Sequence, residues 1–505
     1  MSRPTVAVIG AGVGGLSAAA RLAHQGFDVE LFEKEGGPGG RCNRLSFDGF
    51  HFDTGPTLLL MPEVLEETFA ATGRRASDYL KLHQCDPNYE IHFRDQSTIT
   101  FFTDLVKMRA ELDRVEPGSF SKYLEMLALG KDQYDTSLER FVGVNHDSVA
   151  SFFSPSNLAK VVKIRAHKKM YAEVARRFSD DRLRAALTFQ TMYLGISPFE
   201  SPAVYGLLPY TELAQGIWFP EGGLYAVPKA LEAVCREEGV RIHYRASVER
   251  VLCEGNRATG IELSGGERRD YDAVLVNADL PWAYKHLLRD TPAKLKRLEK
   301  MKYTSSAFMM YLGVSKRIEQ LKHHNVFFGG DYKGSFDDIF EKKVVPEDPS
   351  FYVNAPSHSD PSLAPAGKDG LYVLVPVPHQ TQGIDWKTET AKVRAKVFSR
   401  LRQDIGLDLE PLIETERDFT PDDWAGTYNL DRGAAFGLSH HFFQVGPFRP
   451  ANQDPTVRNV FFVGASTQPG TGLPMVMLSA KLVAERLAQW AGARQAAPVA
   501  QEAVA

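Results

Sequence analysis

Cysteine is scarce in this sequence, and its pattern gives no sign of a zinc site. The four cysteines are scattered along the chain, with no CxxC pair and no histidines at the spacing typical of zinc ligands. They are Cys42, Cys85, Cys235 and Cys253. We therefore interpret them as free thiols in a reducing compartment, and we expect no metal site.

The sequence also lacks long apolar runs and a marked excess of charge of either sign. No stretch approaches the ~20 apolar residues that a membrane-spanning helix needs, so the chain is expected not to cross a membrane. The first residues lead directly into an apolar strand, without the charged and hydrophobic segments of a secretory leader, so no signal peptide is expected. A net charge of −4 gives no overall field that would attract nucleic acid.

The pattern of apolar residues predicts an α/β fold that opens with a βαβ unit. Residues 5–9 form an apolar run typical of a parallel strand buried on both faces, and small residues at 18–20 suit a helix packed on a sheet. A second strand follows at 29–32, and the region from about 104 to 196 has a helical pattern. Further strands are predicted near 240–244, 258–263, 272–277, 306–314, 371–377 and 459–463, and further helices at 225–238 and 474–490. This alternation over 505 residues predicts two intertwined domains.

A glycine-rich turn lies between the first strand and the first helix. Residues 10–15 (GAGVGG) match GxGxxG directly after a strand. In this motif Gly10 permits the tight turn, Gly12 lets a pyrophosphate approach the backbone, and Gly15 lets the helix pack closely on the sheet. Glu33 ends the second strand, where its carboxylate can accept hydrogen bonds from a ribose diol. These features predict a dinucleotide site rather than a purely structural glycine turn.

Two further segments favour FAD over NAD. Residues 36–41 (GGPGGR) follow the acid, and residues 48–56 (DGFHFDTGP) come soon after. Their glycines let the main chain run close to a large planar ligand, and Arg41 can bind a pyrophosphate with two hydrogen bonds. A surface salt bridge is the alternative role for Arg41.

A third glycine-rich segment lies near the end of the chain. Residues 463–474 (VGASTQPGTGLP) join a buried strand to a helix, and Pro474 suits the first helical turn. The N terminus of this helix could face a flavin ring, where its dipole would stabilise the negative charge of the reduced flavin. A plain junction between a strand and a helix is the alternative.

Together these segments resemble those of the carotenoid desaturases, especially the bacterial and fungal phytoene desaturases of the flavin amine oxidase-like superfamily. The likeness runs from about residue 5 to 490 and includes residues 189–199 (FQTMYLGISPF) and 210–223 (YTELAQGIWFPEGG). One departure is Gln468, where the family pattern would have His. The resemblance implies an α/β fold similar to the amine oxidases, in which a Rossmann-type FAD-binding domain is interleaved with a mixed-sheet plus helical substrate and membrane domain.

The domain limits and the cofactor residues follow from these segments and from the resemblance. We predict a discontinuous FAD-binding domain (1–83, 220–303 and 441–493), a helical substrate and membrane-contact region (84–219), a substrate-domain sheet (304–440) and a disordered tail (494–505). The residues expected to contact FAD are Gly10, Ala11, Gly12, Gly14, Gly15, Glu33, Lys34, Gly40, Arg41, Gly55, Pro56, Val248, Gly464, Gly472, Leu473 and Pro474. By the likeness to the family, Val248 would contact the adenine end through its backbone.

The resemblance further implies FAD as the cofactor and a C40 carotenoid as the substrate. Phytoene would be converted to lycopene by successive hydride abstractions, with or without cis–trans isomerisation. Because such a hydrocarbon offers almost no polar groups, the protein would mainly position it in an apolar tunnel, and no Ser/His/Asp-type catalytic group is expected. The sequence identifies no proton acceptor. Since no second GxGxxG is present, oxygen or a quinone is expected as the electron acceptor.

The segment from Asn157 to Arg177 is the predicted contact with a membrane surface. Its charged residues are Lys160, Lys163, Arg165, Lys168, Lys169, Arg176 and Arg177, against one acid, Glu173. A helix of this composition can bury apolar side chains in the membrane interface while its cations meet anionic head groups, and a solvated basic helix is the alternative. We therefore expect a peripheral protein on the cytoplasmic side of a membrane.

The role of an aromatic group and four rival functions stay open. Tyr205, Tyr210, Trp218 and Phe219 either line the tunnel or, as we favour, belong to the core. Within the family the rivals are a 3,4-desaturase and a C30 diapophytoene desaturase. A flavin amine oxidase would need an aromatic cage for the amine, which the sequence does not reveal. A flavin-free lipid-binding escort protein would not need the intact glycine motif and its acid.

Overall fold

A parallel sheet of five strands organises the two ends of the chain. The computed structural model describes residues 3–146, 152, 154–288, 292–380 and 383–496. The order of the sheet is Val460–Phe462, Ala273–Val276, Thr5–Ile9, Asp28–Glu33 and Arg241–Tyr244, with all neighbouring pairs parallel. Its central strands are apolar because other layers cover both faces of the sheet.

Alternate residues of the first strand face different layers. Val6 and Val8 pack toward a helical layer, whereas Ala7 and Ile9 pack toward a small antiparallel sheet. The helices of the first layer are Val13–His24, Ala226–Glu237 and Leu473–Ala496, and the strands of the small sheet are Val248–Glu254, Arg257–Leu263 and Arg268–Asp270. This arrangement confirms the predicted Rossmann-type opening.

A second large sheet has seven strands and mixed pairing. Its order is Ile413–Phe419, Ser306–Val314, Asp369–Val377, Phe351–Asn354, His324–Phe327, Tyr89–His92 and Thr98–Phe101. All neighbours are antiparallel except the pair of His324–Phe327 with Tyr89–His92. The helix Trp386–Ile405, which the sequence analysis did not identify, packs on one face of this sheet. Two of its strands, Tyr89–His92 and Thr98–Phe101, lie inside the segment 84–219, which was expected to be a helical region.

Helices and two short strand pairs connect the large sheets. The strand pairs are Arg44–Phe47 with Phe50–Asp53, and Leu82–Gln84 with Trp218–Pro220. The remaining α-helices are Pro62–Ala70, Leu105–Val115, Ser119–Ser137, Pro155–Lys163, Met170–Ala175, Asp181–Ala186, Leu207–Leu213, Leu280–His286, Pro292–Glu299, Tyr332–Asp337 and Pro421–Tyr428. Most of the region from 104 to 196 is therefore helical, as predicted.

The basic segment 157–177 forms two short helices and not one continuous helix. The helix Pro155–Lys163 ends, and Arg165 takes a left-handed conformation with φ of 56° before the second helix, Met170–Ala175, begins. At the other end of the chain, the last helix extends to Ala496, into the segment expected to be disordered, and residues 497–505 lie outside the described residues. Among the described residues, no helix has the length and apolarity needed to span a bilayer.

Candidate active site

A cavity of about 490 Å³ lies between the carboxyl ends of the parallel strands and the seven-stranded sheet. This volume is in the range of about 300–1,000 Å³ that is common for small-molecule sites. All of the predicted cofactor residues line it except Ala11 and Gly15. They are Gly10, Gly12, Gly14, Glu33, Lys34, Gly40, Arg41, Gly55, Pro56, Val248, Gly464, Gly472, Leu473 and Pro474. Residues far apart in sequence therefore meet at one site.

The glycine turn is packed against Asn277, which follows the strand Ala273–Val276. A Cβ at Gly12 would lie 2.7 Å from Oδ1 of Asn277, and a Cβ at Gly15 would lie 2.1 Å from the carbonyl oxygen of Gly10. The Asn277 amide is held in place because Nδ2 donates to the Val463 carbonyl at 2.9 Å. The turn thus keeps its cavity face clear of side chains, as a pyrophosphate requires.

Glu33 and Ala11 fix the polar end of the cavity. The buried Glu33 carboxylate accepts hydrogen bonds from the Ala11 N–H at 2.8 Å and the Glu35 N–H at 2.9 Å. Each bond goes to a different oxygen, so each oxygen keeps a lone pair for a further donor. Ala11 does not line the cavity, but its N–H holds the Glu33 carboxylate at the rim of the cavity. Val248 lines the same cavity.

Arg41 lines the cavity and does not lie in a surface salt bridge. Its Nη1 donates to the Ala435 carbonyl at 2.8 Å. Burial lowers the pKa of Arg41, and the carboxylate of Asp279 opposes this shift. The Gly39 N–H donates to the Ala11 carbonyl at 2.8 Å, so the segment that carries Arg41 lies directly against the glycine turn. A half-buried guanidinium beside the turn is a suitable partner for a phosphate.

The C-terminal glycine segment is held by a buried arginine that the sequence analysis missed. Arg449 donates hydrogen bonds to the carbonyls of Thr467, Ala465, Leu438, Ser439 and Gln444. These bonds fix the loop that leads to Leu473 and Pro474, at the start of the last helix, on the cavity wall.

Positive φ angles explain the glycines of this loop. Gly464 has φ of 134° and Gly472 has φ of 110°, which other residues rarely adopt. Nearby, Asp279 accepts a hydrogen bond from the Ser466 hydroxyl at 2.7 Å. Asn277 and Asp279 could have been found from the sequence, because Asn277 ends a predicted strand and Asp279 follows it closely, at the edge of the sheet where ligands bind.

The polar half of the cavity fits a dinucleotide. It combines the glycine turn at the N terminus of Val13–His24 with an acid at the second strand end and a half-buried arginine. These are the donors and acceptors that a pyrophosphate and a ribose need.

The other half of the cavity is apolar and mostly aromatic. Its wall includes Phe189, Met192, Tyr193, Phe328, Phe336 and Tyr352. None of Tyr205, Tyr210, Trp218 and Phe219 is among the lining residues, and Phe219 is completely buried in the core. The core interpretation of that group is therefore confirmed for Phe219.

A buried carboxyl group stands behind the aromatic wall. Glu212 is completely buried and accepts a hydrogen bond from the Tyr89 hydroxyl at 3.2 Å, and Tyr193, which lines the cavity, is close enough to lower the pKa of Glu212. Burial raises the pKa of Glu212 to about 7, against the smaller opposite effect of the neighbouring polar side chains of Tyr193, Gln190 and Tyr89. Its Oε1 has no hydrogen-bond partner among the described residues. The sequence analysis had identified no such acid.

Comparisons with known proteins cover nearly the whole chain. A family model described as flavin containing amine oxidoreductase matches residues 13–488. The chain is 64% identical over 490 residues to a zeta-carotene-forming phytoene desaturase of Myxococcus xanthus, which covers 97% of this chain and 95% of that protein. It is 40% identical over 504 residues to a phytoene desaturase of Neurospora crassa, with 96% and 85% covered. A solved putrescine oxidase has a similar fold, with a TM-score of 0.64 at 14% identity over 97% of this chain and 99% of that one.

Proposed function

Because this chain belongs to the flavin-containing amine oxidoreductases and, within them, to the carotenoid desaturases, we propose that it desaturates phytoene in carotenoid biosynthesis. It is an FAD-dependent oxidoreductase that acts on CH–CH groups, and its fold is that of the amine oxidases. The Myxococcus xanthus relative favours zeta-carotene as the product. Lycopene, which the sequence analysis expected and which requires further desaturation, is the second candidate.

The main support for this proposal is that a single cavity contains both the polar and the apolar half. One space extends from the glycine turn at Gly12 to an aromatic wall that includes Phe189, Phe328 and Phe336. A hydrocarbon substrate has no groups that could pair with polar residues, so an apolar wall is what it needs to bind. The polar and apolar halves therefore suit two ligands that must meet, a dinucleotide and an oily chain.

The polar half would hold FAD, which when bound accepts a hydride from an allylic carbon. The glycine turn and Arg41 would bind its pyrophosphate, and Glu33 would accept hydrogen bonds from its ribose. The N terminus of the helix that begins at Leu473 would stabilise negative charge near the opposite end of the cofactor. The surrounding aromatic side chains would exclude water from the reacting carbons.

Tyr193 and Glu212 are the proposed acceptors of the proton that the substrate loses in each desaturation. A carbon–hydrogen bond breaks, the electron pair remains as the new double bond, and the proton goes to the Tyr193 hydroxyl oxygen. Tyr193 passes its own proton to the neighbouring Glu212 carboxylate. A carboxyl group whose pKa is about 7 is suited to accept and release a proton near neutral pH.

Peripheral contact with a membrane is the proposed route by which the substrate enters. Leu158 is 46% exposed and Val162 is 63% exposed on the helix Pro155–Lys163, together with cationic side chains. Phe443, which is 75% exposed, belongs to a neighbouring loop. Phe152, which shortly precedes this helix in the chain, packs against the loop. A Cβ at Gly446 of the loop would lie 2.7 Å from the ring of Phe152. The acceptor of the electrons is proposed to be oxygen or a quinone.

Expression in cells that accumulate phytoene tests the proposal. We expect the pigment extract to contain zeta-carotene in place of phytoene, as measured by liquid chromatography with absorbance detection. Lycopene would support the second candidate, since its longer conjugated system absorbs at longer wavelengths. Unchanged phytoene, in cells where the protein is purified with bound flavin, would reject phytoene as the substrate.

A further inference from the structure

Three buried side chains with metal-ligating atoms lie together outside the dinucleotide half of the cavity. Cys85 follows the strand Leu82–Gln84, and His323 and His324 stand at the start of the strand His324–Phe327. Their exposed fractions are 5%, 6% and 1%. One ligand atom of each residue lies within 4.8 Å of those of the other two, and the Cys85 Sγ is 3.6 Å from Nε2 of His324. We name these three residues the thiol–imidazole cluster.

The other ring nitrogen of each histidine is already engaged. Nδ1 of His323 lies 2.6 Å from the Ser359 hydroxyl, and Nδ1 of His324 lies 2.6 Å from the Tyr352 hydroxyl. The Tyr352 hydroxyl lies 2.9 Å from the hydroxyl of Thr57, so it can donate there while it accepts from His324. Metal-binding histidines are commonly oriented in this way, with the outer nitrogen hydrogen-bonded and the inner one left for the ion.

His323 has a buried nitrogen without a partner. Its Nε2 makes no hydrogen bond to any described residue, although the side chain is 6% exposed. An unpaired buried polar atom destabilises the folded chain, and a bound ion would offset this cost.

We propose that the thiol–imidazole cluster binds one Zn²⁺ ion. Ligand atoms around tetrahedral zinc are separated by about 3.3–3.6 Å, since Zn–S is about 2.3 Å and Zn–N about 2.0–2.1 Å. The Cys85–His324 pair already has this separation, and since no separation in the cluster exceeds 4.8 Å, none needs to shorten by more than about 1 Å. On binding, the Cys85 thiol loses its proton to solvent and its sulfur donates an electron pair to the ion.

The proposed ion would join the segment at Cys85 to the seven-stranded sheet beside the substrate wall. Tyr352 is the connection, because it lines the cavity and its hydroxyl contacts His324. The role is therefore structural and does not depend on the proposed function. No motif in the sequence indicates this site, because the cysteine and the histidine pair are far apart along the chain.

Metal titration of the purified full-length protein tests the site. After treatment with a chelator, the wild type should bind one Zn²⁺ per chain, measured by elemental analysis after desalting. Co²⁺ in place of Zn²⁺ should give the absorption of a Co²⁺–thiolate complex. The bound Zn²⁺ and the Co²⁺–thiolate absorption should both be lost in Cys85→Ser. The same losses are expected in His323→Gln, which provides the test if Cys85→Ser does not fold. Cys253→Ser, which removes an exposed cysteine, should bind as the wild type does.

A wild type that binds no stoichiometric Zn²⁺ would overturn the proposal. The same conclusion follows if Co²⁺ binds without thiolate absorption, or if either cluster variant binds the ion as tightly as Cys253→Ser. The flavin content of each variant is measured in parallel, so that loss of the metal is distinguished from loss of the fold.

Discussion

Asn277 shows how a residue outside the glycine motif shapes the cofactor turn. Its side chain packs against Gly10, Gly12 and Gly15 and is fixed by the Val463 carbonyl. The glycines are needed for close packing within the protein as well as for the approach of a phosphate. Any side chain at Gly12 must displace Asn277 or enter the cavity.

Replacing Gly12 with valine is expected to reduce flavin binding at least tenfold, about 1.4 kcal/mol. The cause is steric, because even a Cβ at this position would lie 2.7 Å from Oδ1 of Asn277. The measurement is the molar ratio of flavin to protein after purification and after titration with FAD. Gly492→Ala is the control, because a Cβ there meets no atom within 4 Å. Equal flavin content in both variants would remove the glycine turn from the cofactor site.

Glu212 is expected to make stability depend on pH. Burial raises its folded-state pKa from 4.5 to about 7, so between these values the folded chain binds a proton that the unfolded chain has released. The contribution of Glu212 to stability is therefore greatest below about pH 4.5, falls as the pH rises to about 7, and is then level, for a total change of about 3 kcal/mol. Glu212→Gln should remove this part of the pH dependence.

Urea unfolding at about pH 5 and about pH 8 measures the effect of Glu212. The difference in unfolding free energy between the two pH values should be smaller in Glu212→Gln than in the wild type. Glu254→Gln, at an exposed position, should leave it unchanged. If Glu212 also accepts the substrate proton, Glu212→Gln will lower the desaturation rate and flatten its pH profile while flavin content stays constant.

Elements with a strong local pattern were predictable, and elements defined by distant partners were not. The strands Thr5–Ile9 and Ser306–Val314 were predicted at these limits, because continuous apolar runs are buried on both faces. The strand Tyr89–His92 is only four residues long, and its place depends on pairing with His324–Phe327 far along the chain. The break at Arg165 was missed because its neighbours carry no proline or glycine to signal it.

The helix Pro155–Lys163 provides a prediction about membrane contact. Replacing Leu158 and Val162 with serine should weaken binding to anionic liposomes, because exposed apolar side chains would no longer enter the interface. Co-sedimentation with liposomes measures this. The matched control replaces Leu105 and Val106, an exposed apolar pair at the start of another helix, with serine. If both double variants bind equally well, this helix is not the contact.

The basic segment 157–177 is expected to attract anionic head groups less strongly than its composition predicts. Glu173 pairs with Arg165, Arg176 and Arg177, and Lys163 pairs with Asp132. Cations already paired within the protein attract anionic head groups less, so most of the binding energy is expected to come from the apolar pair.

For the molecule as a whole, the sequence predicted the residues that line the cofactor half of the cavity, but not those of the apolar half or of the thiol–imidazole cluster. Glycine motifs, Glu33 and Arg41 are recognisable locally, because phosphate binding requires a particular backbone. The aromatic wall, the Glu212 carboxyl and the thiol–imidazole cluster are brought together only by the pairing of distant strands. No spacing along the chain could have predicted them.

Binding of FAD is expected to stabilise the whole chain as one unit. The parallel sheet takes strands from Thr5–Ile9 to Val460–Phe462, and segments from both ends of the chain line the polar half of the cavity. The cofactor therefore cannot be held by a part of the chain that unfolds separately. At about 100 times its dissociation constant, FAD should add about 2.7 kcal/mol to the unfolding free energy. Calorimetry should show a single transition that moves to higher temperature with FAD in the wild type and stays in place in Gly12→Val. Two transitions, of which only one responds to FAD, would instead mean that the site belongs to an independently folding domain.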